Sequence, residues 1–159
     1  MEEITIIVDT REPEVGSWDC YFQTPTVRAG LKTGDFSVMR HETEIAIERK
    51  TLDDLIGCLS KGRDRFEGER ERSMSLKYFA VLVEAGYGQL VHGDYRSLMK
   101  PRAAVESISA FEIRYGTHFL FAGNQELAAL KCESLLLKYH REQTKKAEME
   151  IRQICNRWE

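Results

Sequence analysis

Residues 34–50, GDFSVMRHETEIAIERK, hold two β-forming runs, about 35–39 and 44–50, around a polar turn. A four-residue loop over 40–43 sets Met39 against Glu44, Val38 against Ile45, Phe36 against Ile47 and Asp35 against Glu48. A two-residue loop at His41 and Glu42 gives the same register. Side chains alternate faces along a strand, so Phe36, Val38, Ile45 and Ile47 form one apolar face. Asp35, Ser37, Ala46, Glu48 and Lys50 form the other. A slip of one residue would scramble both faces, so the clean separation supports this register.

Outward from the hairpin, residues 4–8 read as a buried strand ending at Asp9, and a short strand is expected at either 20–23 or 26–28. A charged helical stretch covers about 52–76, with a break near 60–62. Residues 79–84 (FAVLVE) read as another buried strand. A Gly-rich turn at 86–88 precedes a helical region over about 94–115, whose main helix starts at Pro101 and stops at Gly116. A strand over 118–121 follows, and Asn124 caps a last helix running close to the C-terminus. This order predicts an α/β fold with a mixed central β-sheet flanked by helices, in a single domain over 1–159.

The 159 residues suit one sizeable core, and 42% hydrophobic with 31% charged residues is an ordinary globular balance. No apolar run approaches the roughly 18 residues needed to cross a membrane, so no membrane partner is expected. The start, MEEITIIVD, lacks the basic and apolar regions of a secretory signal. Cys20, Cys58, Cys132 and Cys155 lie far apart, which fits reduced thiols in a cytoplasmic protein, or a nuclear one if the source is eukaryotic. The net charge of −3 argues against broad nucleic-acid binding but not against a local basic rim beside a metal-holding acidic cluster.

On the polar face, Asp35 and Glu48 sit directly opposite each other and repel. A divalent cation between them would relieve that repulsion and act as a Lewis acid. Lys50, two residues beyond Glu48, emerges on the same face and can hold a phosphate oxygen or orient a water. Phosphodiester hydrolysis needs this combination; a solvated hairpin face with a chance Glu-x-Lys is the competing reading. Arg49 points to the apolar side, across from Gly34, either snorkelling to water or held in hydrogen bonds. Thr51 and Asp54 fit a capping box, which by itself explains Asp54. Asp9 ends its strand as a ligand or as the start of a turn.

At these residues the chain resembles the nuclease domain of the XPF-type structure-specific endonucleases, in the PD-(D/E)xK superfamily. The family pattern Gly-Asp, then Glu-Arg-Lys-x-x-x-Asp, stands here as Gly34-Asp35 and Glu48-Arg49-Lys50-Thr51-Leu52-Asp53-Asp54. Val8-Asp9-Thr10-Arg11-Glu12 is similar to the family's Val-Asp-x-Arg-Glu, and Asp54-Leu55-Ile56-Gly57 leads to Lys61-Gly62-Arg63 as in the family. The resemblance implies a restriction-endonuclease-like fold, with Asp9, Asp35 and Glu48 as metal ligands and Lys50 as the catalytic lysine. It brings Arg11, Arg49 and Asp54 into the active-site set. Either Arg63 or Arg65 matches the family's arginine. Larger members carry a tandem helix-hairpin-helix module after the nuclease; residues 1–159 contain none, so a second copy or another DNA-targeting protein is an expected partner.

Arg11, Lys61, Arg63, Arg65, Arg70 and Arg72 are candidates for phosphate contacts, with a solvated helix face as the alternative for the last five. Ala147, Ile151, Ile154 and Trp158 recur at helical spacing in the last helix, which spans 124–159. They pack on the core or face a partner, and the family's dimeric habit favours a homodimer. The expected activity is a Mg2+- or Mn2+-dependent endonuclease acting on DNA, on branched or junction structures, leaving 5′-phosphate and 3′-hydroxyl ends. The alternatives are a PD-(D/E)xK nuclease with a linear or sequence-specific target and a catalytically silent DNA-binding or scaffold subunit.

Overall fold

The structure, a computed structural model, describes residues 3–158; Met1 and Glu2, at the start read above as no secretory signal, and Glu159 lie outside them. Its strands are β1 (Ile6–Asp9), β2 (Thr26–Ala29), β3 (Phe36–Val38), β4 (Ile45–Lys50), β5 (Tyr78–Val83) and β6 (His118–Phe121). They form one sheet in the order β2-β1-β3-β4-β5-β6. β3 runs antiparallel to β1 and β4, and the other neighbours run parallel. Parallel neighbours need crossovers, and helices supply them. Between β4 and β5 lie α1 (Leu52–Leu59) and α2 (Arg63–Ser73); between β5 and β6 lie α3 (Tyr87–His92) and α4 (Pro101–Tyr115). Helix α5 (Gln125–Cys155) closes the order. The expected mixed sheet flanked by helices is therefore what the chain forms.

The hairpin has the predicted register where it pairs, Phe36 against Ile47. Its outer rung does not form: Met39 N–H donates to Thr5 O instead, at 3.0 Å. The turn is closed by Val38 O accepting from His41 N–H and by His41 O accepting from Ile45 N–H. The apolar face joins Ile6, Val8, Ala80 and Leu82 beneath Ala128, Ala129, Cys132 and Leu136 of α5. The other face is also covered, which corrects the expectation of an open polar side. Ala46, Phe79, Val81 and Val83 pack there against Leu55, Ile56, Phe66, Ile108 and Phe111 of α1, α2 and α4. Ser37, fully buried on this side, satisfies its hydroxyl on Ile45 O at 2.6 Å. The chain is thus a three-layer sandwich, and central β5 is buried on both faces, as its unbroken apolar sequence requires.

Of the two candidate positions for the early strand, β2 takes the later one, and Trp18–Tyr21 forms a single 3₁₀ turn. The break near 60–62 separates α1 from α2. Pro101 is the first residue of α4, and Gly116 stops it with φ +62. Residues 94–100 are not helical; the Gly-rich turn instead opens the short helix α3. Asn124 caps α5 by accepting from Leu127 N–H at 2.8 Å.

Candidate active site

The close of the hairpin places two carboxylates and a lysine together. Gly34 precedes Asp35 with φ +78, and a Cβ there would lie 2.9 Å from Ala46 Cβ and 3.1 Å from Ile47 O. Only glycine lets β3 approach β4 this closely. The room at Gly34 is used by Ala46 and Ile47, not by the Arg49 stem. Asp35 N–H donates to Ile47 O at 2.8 Å, and Asp35 Oδ2 accepts from Arg49 N–H at 2.8 Å. Asp35, Glu48 and Lys50 then line one cavity of about 390 Å³. Arg11, Lys32, Arg65 and Arg72 stand on its rim, with Glu69 and Arg70 on its wall.

Burial pushes the Asp35 carboxyl up to about 7; the Arg49 N–H offsets part of this, and the charges of Glu12 and Glu48 add to it. Burial would raise Glu48 too, but Arg70 and Lys50 more than compensate and hold it below its ordinary value. Lys50 Nζ lies 3.0 Å from Glu48 Oε1, and Arg70 Nη2 donates to Glu48 Oε2 at 2.5 Å. Burial disfavours the charged Lys50, yet Glu48 outweighs it and keeps Lys50 firmly protonated.

Asp9 does not join this pair. Its carboxylate is 1% exposed: Oδ1 accepts from Arg11 N–H at 2.9 Å and from Arg11 Nε at 2.6 Å, and Oδ2 accepts from Leu31 N–H at 2.7 Å. Burial alone would raise its pKa, but these bonds keep it below the ordinary value. Asp9 fastens the loop before Lys32 to the end of β1 and aims Arg11 at the rim. Of the three carboxylates that the resemblance groups together, the structure brings Asp35 and Glu48 to the cavity and leaves Asp9 outside its lining. Among the described residues no three His, Cys, Asp or Glu side chains converge on one metal position. Two carboxylates still fit a hard cation, because Mg2+ is commonly held by one or two carboxylates with water and substrate phosphate completing the shell. The shortage of positive charge at Asp35 is the observation that favours such a cation.

Arg49 takes the structured alternative. Its Nε donates to Glu84 Oε1 at 2.8 Å and its Nη1 to Glu12 Oε2 at 3.2 Å, on the far side of the sheet from Glu48. Trp18 Nε1 shares Glu84 Oε1 at 2.6 Å. Arg49 therefore ties the 10–18 loop to β4 and β5. Asp54 lines an adjoining cavity with Lys50, Arg65 and Glu69, and its N–H caps α1 on Thr51 Oγ1 at 3.1 Å.

The basic candidates divide. Arg65 and Arg72 are exposed on the rim, and Arg11 keeps 70% of its side chain exposed. Lys61 is exposed but lines no part of the cavity. Arg63 turns away, donating to Ser107 Oγ at 2.9 Å above the Phe111 ring. Arg70 is 1% exposed on the cavity wall with its Nη2 on Glu48, which leaves it badly placed for the phosphate contact expected from the sequence. Lys32 and Glu69 were not singled out; Lys32 has no motif around it, and the helical phase of α2 relative to Phe66 was the available signal for Glu69.

An acidic residue just before one strand and Glu-x-Lys at the end of its antiparallel neighbour, in a mixed sheet covered by helices, are the marks of the PD-(D/E)xK class with its restriction-endonuclease-like fold. The ERCC4 domain family matches residues 8–133, and the chain belongs to that family. Among solved structures, XPF from Aeropyrum pernix is similar at TM-score 0.68 and 22% identity, over 85% of this chain and 61% of that one. XPF from Aeropyrum pernix in complex with DNA gives TM-score 0.70 and 22% identity, over 87% of this chain and 66% of that one. The chain thus spans less than two thirds of the solved relative's length. No curated protein matches it. Among the described residues no helix is long and apolar enough to cross a membrane.

Proposed function

We propose that this chain is a divalent-metal-dependent DNA endonuclease acting on branched or junction DNA. The single observation that carries this reading is the convergence of Asp35, Glu48 and Lys50 in one cavity with a cationic rim. Asp35 and Glu48 would hold the cation, with Mg2+ or Mn2+ as the hard ions suited to carboxylates. When bound, that ion would supply Lewis-acid stabilisation of the charge developing at phosphorus. Arg11, Lys32, Arg65 and Arg72 are placed to take backbone phosphates, which position a duplex without reading its sequence. Lys50 is placed to meet the phosphoryl oxygen as its charge grows. Bond cleavage leaving 5′-phosphate and 3′-hydroxyl ends follows the resemblance to XPF-type enzymes. The A. pernix relative was solved with DNA, which supports the same class of ligand here.

The intact acid–acid–lysine set speaks against a silent scaffold subunit. The test is a cleavage panel of forked, junction and linear duplex DNA with Mg2+, Mn2+ or chelator. The expected result is metal-dependent cutting strongest on branched substrates. Equal cutting of linear DNA would move the reading to a linear-target nuclease, and no cutting of any substrate would move it to the scaffold subunit.

The last helix supplies a self-association surface in this reading, and a separate DNA-targeting protein is a further possible partner. From residue 144 every described residue of α5 is exposed, so its last 12 residues project roughly 18 Å at 1.5 Å per residue. Ala147, Ile151 and Ile154 are exposed along it, and Trp158 is exposed beyond its end, because the helix stops at Cys155 rather than running on to 159; none of the four is core. The spacings of four and three from Ala147 through Ile151 to Ile154 match those of a coiled-coil seam. Laid antiparallel on a second copy, Ile151 meets Ile154 of that copy twice by symmetry. Light scattering at tens of micromolar is expected to give a dimer for the native chain and a monomer for Ile151→Glu/Ile154→Glu. A native monomer at that concentration overturns the dimer.

A further inference from the structure

Both oxygens of Glu48 are already occupied by cations, and the two cations are held very differently. Arg70 on α2 is 1% exposed, its guanidinium lying 4.5 Å from the Phe66 ring centre and 4.4 Å from that of Phe79. It is wedged and cannot leave without opening the layer between α2 and the sheet. Its Nε and Nη1 are buried with no hydrogen-bond partner, so Glu48 is the group that its donors engage. A buried arginine with two unsatisfied donors is a poor stabiliser of a fold. Its effect on Glu48 gives it a use. Lys50, by contrast, has a flexible stem on the cavity wall, with 20% of its side chain exposed.

We infer that Arg70 is a positioning residue that fixes Glu48 Oε2 and leaves Oε1 as the one oxygen Glu48 can offer a divalent cation, with Lys50 as a placeholder on that oxygen. The inference rests on the metal-site reading above. The cation displaces the lysine rather than the arginine, because only the lysine has room to move. The freed ammonium then swings into the cavity, where a substrate phosphate would lie. Metal arrival and the delivery of Lys50 to the substrate are then one event, and the lysine is held out of the reaction until the cation is in place.

This makes a prediction that ordinary ligand counting does not. Removing Lys50 removes a competitor, so Lys50→Met is expected to bind Mn2+ about tenfold more tightly than the native chain. Arg70→Lys keeps the charge but loses the planar guanidinium wedged between Phe66 and Phe79 that aims Nη2 at Oε2, so it is expected to bind Mn2+ several-fold more weakly. Both are read without DNA or turnover, by the loss of the free Mn2+ electron paramagnetic resonance signal on titrating the full chain. Thermal unfolding of each preparation confirms that it is folded. If an Arg70→Lys chain does not fold, the Lys50→Met comparison decides alone, since Lys50 lies on the cavity wall. Native binding with unchanged or weaker binding by Lys50→Met overturns the placeholder role. Native-strength binding by folded Arg70→Lys overturns the positioning role. If neither the native chain nor any variant binds Mn2+, the metal-site reading itself fails, and this inference with it.

Discussion

Single-turnover cleavage by Lys50→Ala is expected to fall on the order of 10²–10³-fold, the usual cost of removing one donor aimed at developing charge. DNA affinity is expected to change far less. Arg11, Lys32, Arg65 and Arg72 would share the ground-state phosphate charge around the cavity, whereas Lys50 is paired with Glu48 on its wall. An interaction stronger in the transition state than in the ground state appears in the rate, not in binding. Asp35→Asn is also expected to lose activity, but higher metal concentration recovers part of it because the defect is in ligation. Lys50→Ala gains nothing from added metal, since both carboxylates remain. Measuring rate and DNA affinity across a Mg2+ series on the same preparations checks both. Cleavage by Lys50→Ala at the native rate would remove Lys50 from the chemistry.

The sheet pairing behind this assignment is local information. Alternation between 35 and 50 gives the Phe36–Ile47 register, and Pro101, Gly116 and Asn124 mark helix ends because each acts on its own backbone. What covers the polar face is not local. Ser37, Asp35, Glu48 and Lys50 look solvated in sequence, yet α1, α2 and α4 arrive over that side from later in the chain. Trp18 lies in a Gly- and Pro-punctuated stretch but is fully buried, stacked on Phe36 with ring centres 5.3 Å apart and its N–H on Glu84. Nothing near residue 18 names either partner. Glu133 reads as one more helix charge, but its Oε1 accepts from Gln23 and Thr24 N–H and fixes the approach to β2. Arg70 and Arg72 are indistinguishable in the run Glu69-Arg70-Glu71-Arg72. Two residues turn α2 by about 200°, and that rotation puts one guanidinium on Glu48 and the other on the rim.

That hidden placement sets the sign of two stability changes in one cavity. Glu48→Ala leaves buried Arg70 with only the longer ion pair to Glu69, at 3.8 Å, and breaking a buried pair from one side costs about 3–5 kcal/mol. For a domain of this size that lowers the unfolding midpoint by roughly 10 °C. Asp35→Asn is expected to do the reverse. The folded-state pKa of Asp35 is about 7 against an ordinary 3.8, so the folded chain holds a proton there that the unfolded chain has lost. The benefit of that proton is full below 3.8 and is lost as pH rises through about 7. At pH 8 the native chain therefore carries an ionised, buried carboxylate. Asn keeps the oxygen that accepts from Arg49 N–H and has no charge to bury. Asp35→Asn is expected to be more stable than the native chain at pH 8, by on the order of 1–4 kcal/mol, and little different only below 3.8. Urea unfolding in chelator at the two pH values measures this, and Glu48→Ala run alongside shows the opposite sign. Adding Mg2+ at pH 8 then narrows the gap, because only the chain with both carboxylates gains the ion's stabilisation. A destabilised Asp35→Asn at pH 8 would mean that Asp35 is satisfied without a cation, and the electrostatic case for metal at this site would fall.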